Sequence, residues 1–237
     1  MKRFFTLPEL LKSGVALLLI ALCLLASNWQ WTKGSLQTQQ NSIIRSNIGK
    51  PAVNSLPPHF NPVSNQWLRT SLTGHFIPSK QTLVRNRYFQ GQFGFEVLQL
   101  FQFSEGKIWV NRGWIKAGAN ANTPPQVPAI SPATTQITAR VRSEDLSKQL
   151  QGSFFALPQK VSDIYSTQKK FGESTFNFYL DLLASDIPQN KPLTPIDLPD
   201  LTNGPHYAYA IQWLAFAVLI LIGRIMLFRE TQRLPLV

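Results

Sequence analysis

Few groups in this chain are placed to do chemistry. It has three histidines and one cysteine. No pair among His59, His75 and His206 has metal-site spacing, and Cys23 lies in an apolar run, so no zinc site is expected. The carboxylates are scattered, without a Ser/His/Asp arrangement or a phosphate-cradling glycine loop, so the chain reads as a non-enzyme. One segment stands apart: Asn203-Gly204-Pro205-His206-Tyr207-Ala208-Tyr209-Ala210-Ile211-Gln212-Trp213. Pro205 suits the first position of a helix, which puts His206 in the first turn. A helix N-terminus favours a neutral imidazole, the form a metal or haem iron requires. His206, Ala210, Trp213 and Ala217 share one face by i+3/i+4 spacing, and the alanines leave room beside the histidine. Trp29-Gln30-Trp31-Thr32-Lys33 is a second cluster, expected at the same depth. The plainer alternative is an aromatic belt at headgroup level, with a snorkelling lysine.

The elements that must position these clusters are two hydrophobic segments, Val15–Trp31 and Ala208–Phe228. A helix crossing a hydrocarbon core of about 30 Å needs roughly 20 mostly apolar residues. The expected fold class is a membrane protein. Two transmembrane α-helices flank one mainly antiparallel β, α+β extramembrane domain. The expected boundaries are a cytoplasmic N-terminus over residues 1–13, a first span over 14–31, a periplasmic domain over 32–205, a second span over 206–228 and a cytoplasmic tail over 229–237. Leu24 stands two positions before Ala26, a poor match to a signal-peptidase site, so the first span reads as an uncleaved anchor. No Arg- and Ser-rich presequence precedes it, which favours the bacterial cytoplasmic (inner) membrane.

The net charge is +11, from 23 Lys and Arg against 12 Asp and Glu. These basic residues are dispersed, which argues against nucleic acid as a partner and for membrane lipid. Lys2, Arg3 and Lys12 precede the first span, and Arg224, Arg229 and Arg233 end or follow the second. The positive-inside rule then puts both termini in the cytoplasm.

Between the spans, Gly34–Asn47 reads as a short helix continuing from the membrane, followed by an extended lead-in at Pro51, Pro57, Pro58 and Pro62. Trp67–Phe76 and Gln81–Tyr88 read as two strands, with Leu83, Arg85 and Arg87 on one face of the second. Gly91 and Gly94 mark a turn, and Gly94–Phe103 and Lys107–Lys116 are the next strands of an antiparallel meander. Gln136–Arg142 and Thr175–Leu183 read as later strands, and Ser143–Gln151 as a short capped helix. Prolines 188 to 205 suggest an extended tether.

Three motifs carry a family resemblance. They are Trp29-Gln30; the block from Trp67-Leu68-Arg69 through Gly74-His75-Phe76, Arg87, Gly91 and Gly94 to Val110-Asn111-Arg112-Gly113-Trp114; and Gly204-Pro205-His206 through Gln212-Trp213. With the two-span topology, the chain resembles the Surfeit locus (Shy-type) assembly proteins of cytochrome c oxidase. It departs from them where Lys33-Gly34 follows Trp31-Thr32, where Ile115-Lys116 follows Trp114, and at Ala139-Arg140. The resemblance implies a non-catalytic assembly factor for haem-copper oxidase, acting where haem a reaches the catalytic subunit. It implies His206 as the haem iron ligand, with Tyr209, Trp213, Trp29 and Gln30 around the haem a. The implied partners are the oxidase catalytic subunit and haem a synthase. The competing expectation is a scaffold that binds oxidase subunits without haem.

The orientation can be checked directly. Alkaline phosphatase fused after Pro132 is expected to be active, and fused after Val237 inactive; the reverse pattern overturns the assignment.

Overall fold

The computed structural model describes residues 6–57, 59–118, 125–142 and 175–233. It divides into two compact units, one made of residues 1–42 and 200–237, the other of residues 43–199.

The first unit is built on α1 (Leu7–Ile48), up to its residue 42, and α2 (His206–Arg233). Both helices are long and apolar enough to cross a membrane. Their apolar side chains are largely exposed, as at Leu17 (66%) and Leu219 (62%), which suits lipid rather than a water-soluble core. Small residues make the helix–helix seam: Cys23, Ser27, Ala210 and Ala217 are all buried. That is how helices approach in lipid, where no hydrophobic drive holds them together.

Polar pairs pin the seam near both ends. Arg224 Nη2 donates to Glu9 Oε2 at 2.7 Å and to Ser13 Oγ at 2.9 Å. Ser27 Oγ donates to the Ala210 carbonyl at 2.9 Å. Asn41 Nδ2 donates to the Thr202 carbonyl and to Asn203 Oδ1, both at 3.0 Å. Glu9 and Gln30 lie 21 residues apart on α1, or about 31 Å at helical rise, close to the hydrocarbon thickness. The expected continuation of the first helix past the membrane is present, since α1 runs unbroken to Ile48.

The second unit is a closed five-strand barrel, in spatial order β1 (Arg69–Phe89), β2 (Gln92–Phe103), β3 (Gly106–Lys116), β5 (Tyr179–Ser185) and β4 (Thr135–Arg142). Only the first three strands form a meander. β5 lies parallel to β3, pairing Trp109 with Tyr179 and Asn111 with Asp181, and β4 closes the sheet against β1. The larger core cluster draws side chains from all five strands, among them Leu72, Phe101, Val110, Ile137 and Leu180, and fills the barrel.

The two expected strands before Gly91 are one strand of 21 residues. Pro78 has no N–H for the ladder, and the register breaks between Phe76 and Gln81. The buried Gln99 bridges the break, donating through Nε2 to the Ile77 carbonyl at 2.6 Å and the Lys80 carbonyl at 3.0 Å. A second irregularity between Val84 and Arg87 changes which face is covered: Val84 and Arg87 are both buried, and Tyr88 is exposed. A strict two-residue alternation therefore misplaces Arg87. Gly94 is inside β2, not in a turn, because the Trp114 ring lies over it; a Cβ there would sit 2.4 Å from Trp114 Cε2. The turn is Gln90-Gly91, with φ of 49° and 75°, the left-handed geometry of a tight hairpin.

A chain of buried polar groups crosses all five strands in sheet order. Arg87 Nε on β1 lies 3.2 Å from Glu96 Oε1 on β2. Asn111 Nδ2 on β3 donates to Glu96 Oε2 at 2.9 Å and to Asp181 Oδ1 on β5 at 3.0 Å. Arg142 Nη1 on β4 meets Asp181 Oδ2 at 2.5 Å, while its guanidinium stacks over Trp67 at 4.2 Å. Two arginines balance two carboxylates. Burial still pushes the Glu96 carboxyl above its usual range, against the opposing pull of Arg87.

The expected helix over Ser143–Gln151 lies outside the described residues. The proline-rich segment from 188 opens with a 3-10 turn at Pro188–Asn190, and Thr194 then pairs with Trp114.

Removing a partner from a buried ion pair strands the other charge, at a cost of about 3–5 kcal/mol. Asp181→Ala should therefore destabilise the barrel by that order, as chemical denaturation would measure. An unchanged unfolding midpoint would mean that Arg142 finds other compensation.

Candidate functional site at the start of the second helix

Gly204 makes the turn that starts α2, with φ of 61°, and the helix begins at His206 with the Tyr209 N–H bonded to the Pro205 carbonyl. Glycine accepts the left-handed backbone here, and a Cβ added to it would rest in ordinary contact with the ring, 3.8 Å from His206 Nε2.

The other ring nitrogen is engaged. His206 Nδ1 lies 2.9 Å from Gln30 Oε1 on α1. The facing atom is an acceptor, so Nδ1 carries the hydrogen and donates. In a neutral ring that places the lone pair on Nε2. A second partner holding the far nitrogen is the usual support of a metal-ligating histidine. Around it, Trp31 and Tyr207 meet edge to face at 5.1 Å, and the Tyr207 and Thr38 hydroxyls are 3.3 Å apart. A Cβ at Gly34 would stand 3.1 Å from Tyr207 Cζ, so a glycine on α1 admits the Tyr207 ring.

Of the expected site residues, His206 and Gln30 are brought together. Trp29, Tyr209 and Trp213 are not joined to them: Trp29 is 58% exposed, Tyr209 47% and Trp213 37%, and Trp213 packs edge to face on Phe216 instead. Ala210 and Ala217 do not leave open room beside the histidine, because both are buried in the described structure, with the Ala210 carbonyl bonded to Ser27 on α1. Among the described residues no cluster of three or more His, Cys, Asp or Glu is placed to hold a metal ion. The donor set at this end is one imidazole.

Sequence reasoning missed Asn41, a buried amide that joins α1 to the residues before α2. A lone asparagine in a Gln-rich polar stretch gave no signal of this. In the barrel, Asn111-Arg112-Gly113-Trp114 makes a bulge: Leu98 faces Asn111 and Glu96 faces Trp114, so two residues oppose one. Gly113 has φ of 110°, and a Cβ there would stand 2.2 Å from the Thr194 carbonyl oxygen. The Leu193 N–H bonds to the Arg112 carbonyl at 2.7 Å and the Trp114 N–H to the Thr194 carbonyl at 2.9 Å. Trp114 Nε1 donates to the Arg87 carbonyl at 3.2 Å. Arg112 is 1% exposed and donates to the Pro128 carbonyl at 3.0 Å; burial pushes its guanidinium below the ordinary arginine range. The motif thus docks two loops onto β3, a structural role.

These features define a class: a membrane protein with a helix pair and a closed β-barrel, with one histidine at a helix start held by a glutamine of the other helix. The chain matches the SURF1 family over residues 17–218 and belongs to it. It is also 31% identical over 203 residues to an uncharacterized SURF1-like protein of Mycobacterium bovis, covering 82% of this chain and 73% of the relative. SURF1-like proteins from two strains of Mycobacterium tuberculosis match with the same identity and coverage.

The fixed tautomer is measurable. In lipid nanodiscs at neutral pH, nitrogen NMR of the His206 ring should show hydrogen on Nδ1 and none on Nε2. Gln30→Leu should yield a mixture of tautomers. A ring protonated on Nε2 in the wild type would overturn the assignment.

Proposed function

We propose that the protein is a non-catalytic assembly factor for haem-copper oxidase in a bacterial cytoplasmic membrane, with both termini in the cytoplasm. The SURF1 family is known for cytochrome oxidase assembly factors, and membership is the ground for the process. The finer reading is that His206 Nε2 holds the iron of haem a on its way to the oxidase catalytic subunit, with haem a synthase as the source. The observation that carries it is the Nδ1 contact to Gln30, which leaves Nε2 free beside a glycine. Haem a is cargo here, so the chain's residues need only hold and orient it. Gln30 orients the ring, and Gly204 turns the chain into the helix beside it. Trp29, Tyr209 and Trp213 are exposed and remain candidates to cover a porphyrin from the membrane side.

His206→Ala should leave insertion and barrel melting unchanged, while removing the Soret band of the purified protein and lowering the haem a content of the oxidase. Gln30→Leu should weaken haem binding by about 10–100-fold, as loss of a ligand-orienting partner does. Full haem binding and full oxidase maturation in His206→Ala would exclude the ligand role. Normal maturation without any haem binding in the wild type would favour the haem-free scaffold.

A further inference from the structure

At the opposite end of the helix pair, α1 and α2 part to leave an open groove of about 420 Å³. That volume is in the range of about 300–1,000 Å³ occupied by small-molecule sites. Its walls are Leu11, Val15, Leu19, Ile220 and Leu227. Gly223 also lines it, and a side chain added there would meet nothing within 4 Å. The missing side chain is therefore part of what keeps the groove open.

Two cations border it, Lys12 and Arg224. They share a single carboxylate: Glu9 Oε1 takes Lys12 Nζ at 2.8 Å and Glu9 Oε2 takes Arg224 Nη2 at 2.7 Å. One positive charge is left over. Arg224 Nη1 makes no hydrogen bond, and Lys12, with its side chain 57% exposed, has further N–H donors to offer. Lys12 precedes the apolar run of α1 and Arg224 stands near the end of that of α2, which suits headgroup depth for this cationic border.

From this we infer that the groove is a binding site for one anionic phospholipid, its acyl chain between the helices and its phosphate on Lys12. The apolar walls match an acyl chain, and a monoanionic phosphodiester balances the unpaired charge. A zwitterionic lipid would bring an ammonium against Lys12 and Arg224 and lose that balance. A second copy of this chain would present the same cationic border and be repelled by it.

The test uses the full chain reconstituted in vesicles of phosphatidylglycerol or phosphatidylcholine with identical acyl chains, then released into detergent for native mass spectrometry. The wild type should retain one phosphatidylglycerol and several-fold less phosphatidylcholine. Gly223→Leu should lose both by filling the groove, with barrel melting unchanged. Lys12→Gln should retain lipid but lose the headgroup preference, and it decides the matter if Gly223→Leu fails to insert. No retained lipid, equal retention of both lipids by the wild type, an unaltered preference in Lys12→Gln, or a dimer in place of the adduct would overturn the proposal.

Discussion

Hydrocarbon offers no hydrogen bonds, so a polar side chain on a spanning helix needs a partner within the protein, and several here find it on the other helix. That constraint shapes the helix pair. Ser27 reaches the Ala210 carbonyl, Gln30 reaches His206, and Arg224 reaches Glu9 and Ser13. Between the end contacts the seam is made by small buried side chains. The same need that holds the helices together also selects the histidine tautomer. Gln30 accepts the Nδ1 hydrogen through its oxygen, and in a neutral ring the lone pair then sits on Nε2.

The barrel meets a related problem by another route. Its interior is apolar, yet Arg87, Asp181, Arg142 and Asn111 are buried on its strands, with the largely buried Glu96 among them. Each charge is costly alone, and the cost is offset because the groups form one neutral chain from Arg87 to Arg142. Asn111 is the hinge of this arrangement. Its amide nitrogen keeps two carboxylates apart, and its oxygen accepts the Gly113 N–H at 3.0 Å, holding the bulge in shape. A residue that reads as unremarkable on a strand is thus the link between both halves of the charge chain.

The Asn-Arg-Gly-Trp motif and the Gly-Pro-His motif play different parts. In the barrel the glycine admits the Thr194 backbone, and the tryptophan packs into a site closed by Phe89 and Gly94. The backbone contacts there are to other parts of the same domain. At the start of α2 the glycine turns the chain and leaves the imidazole accessible on one side. Motif specificity alone does not separate these roles; the surroundings of each glycine do.

The sequence alone determined the two spanning helices, because a run of apolar residues long enough to cross a bilayer has few other uses. It also determined where most of the strands lie, the turn at Gly91, the helix start at Pro205-His206 and the family. These depend on local periodicity and on glycine and proline stereochemistry, which act over a few residues. The tertiary structure decided what depends on partners far away in the chain. Barrel closure needs β5 to lie parallel to β3, and no local pattern encodes that register. The inversion of faces at Arg87 comes from a bulge set by the neighbouring strand. The pairing of Gln30 with His206, 176 residues apart, exists only because two antiparallel helices align those turns. The same alignment buries Ala210 in the seam and leaves Trp213 exposed, which helical spacing on α2 alone could not distinguish.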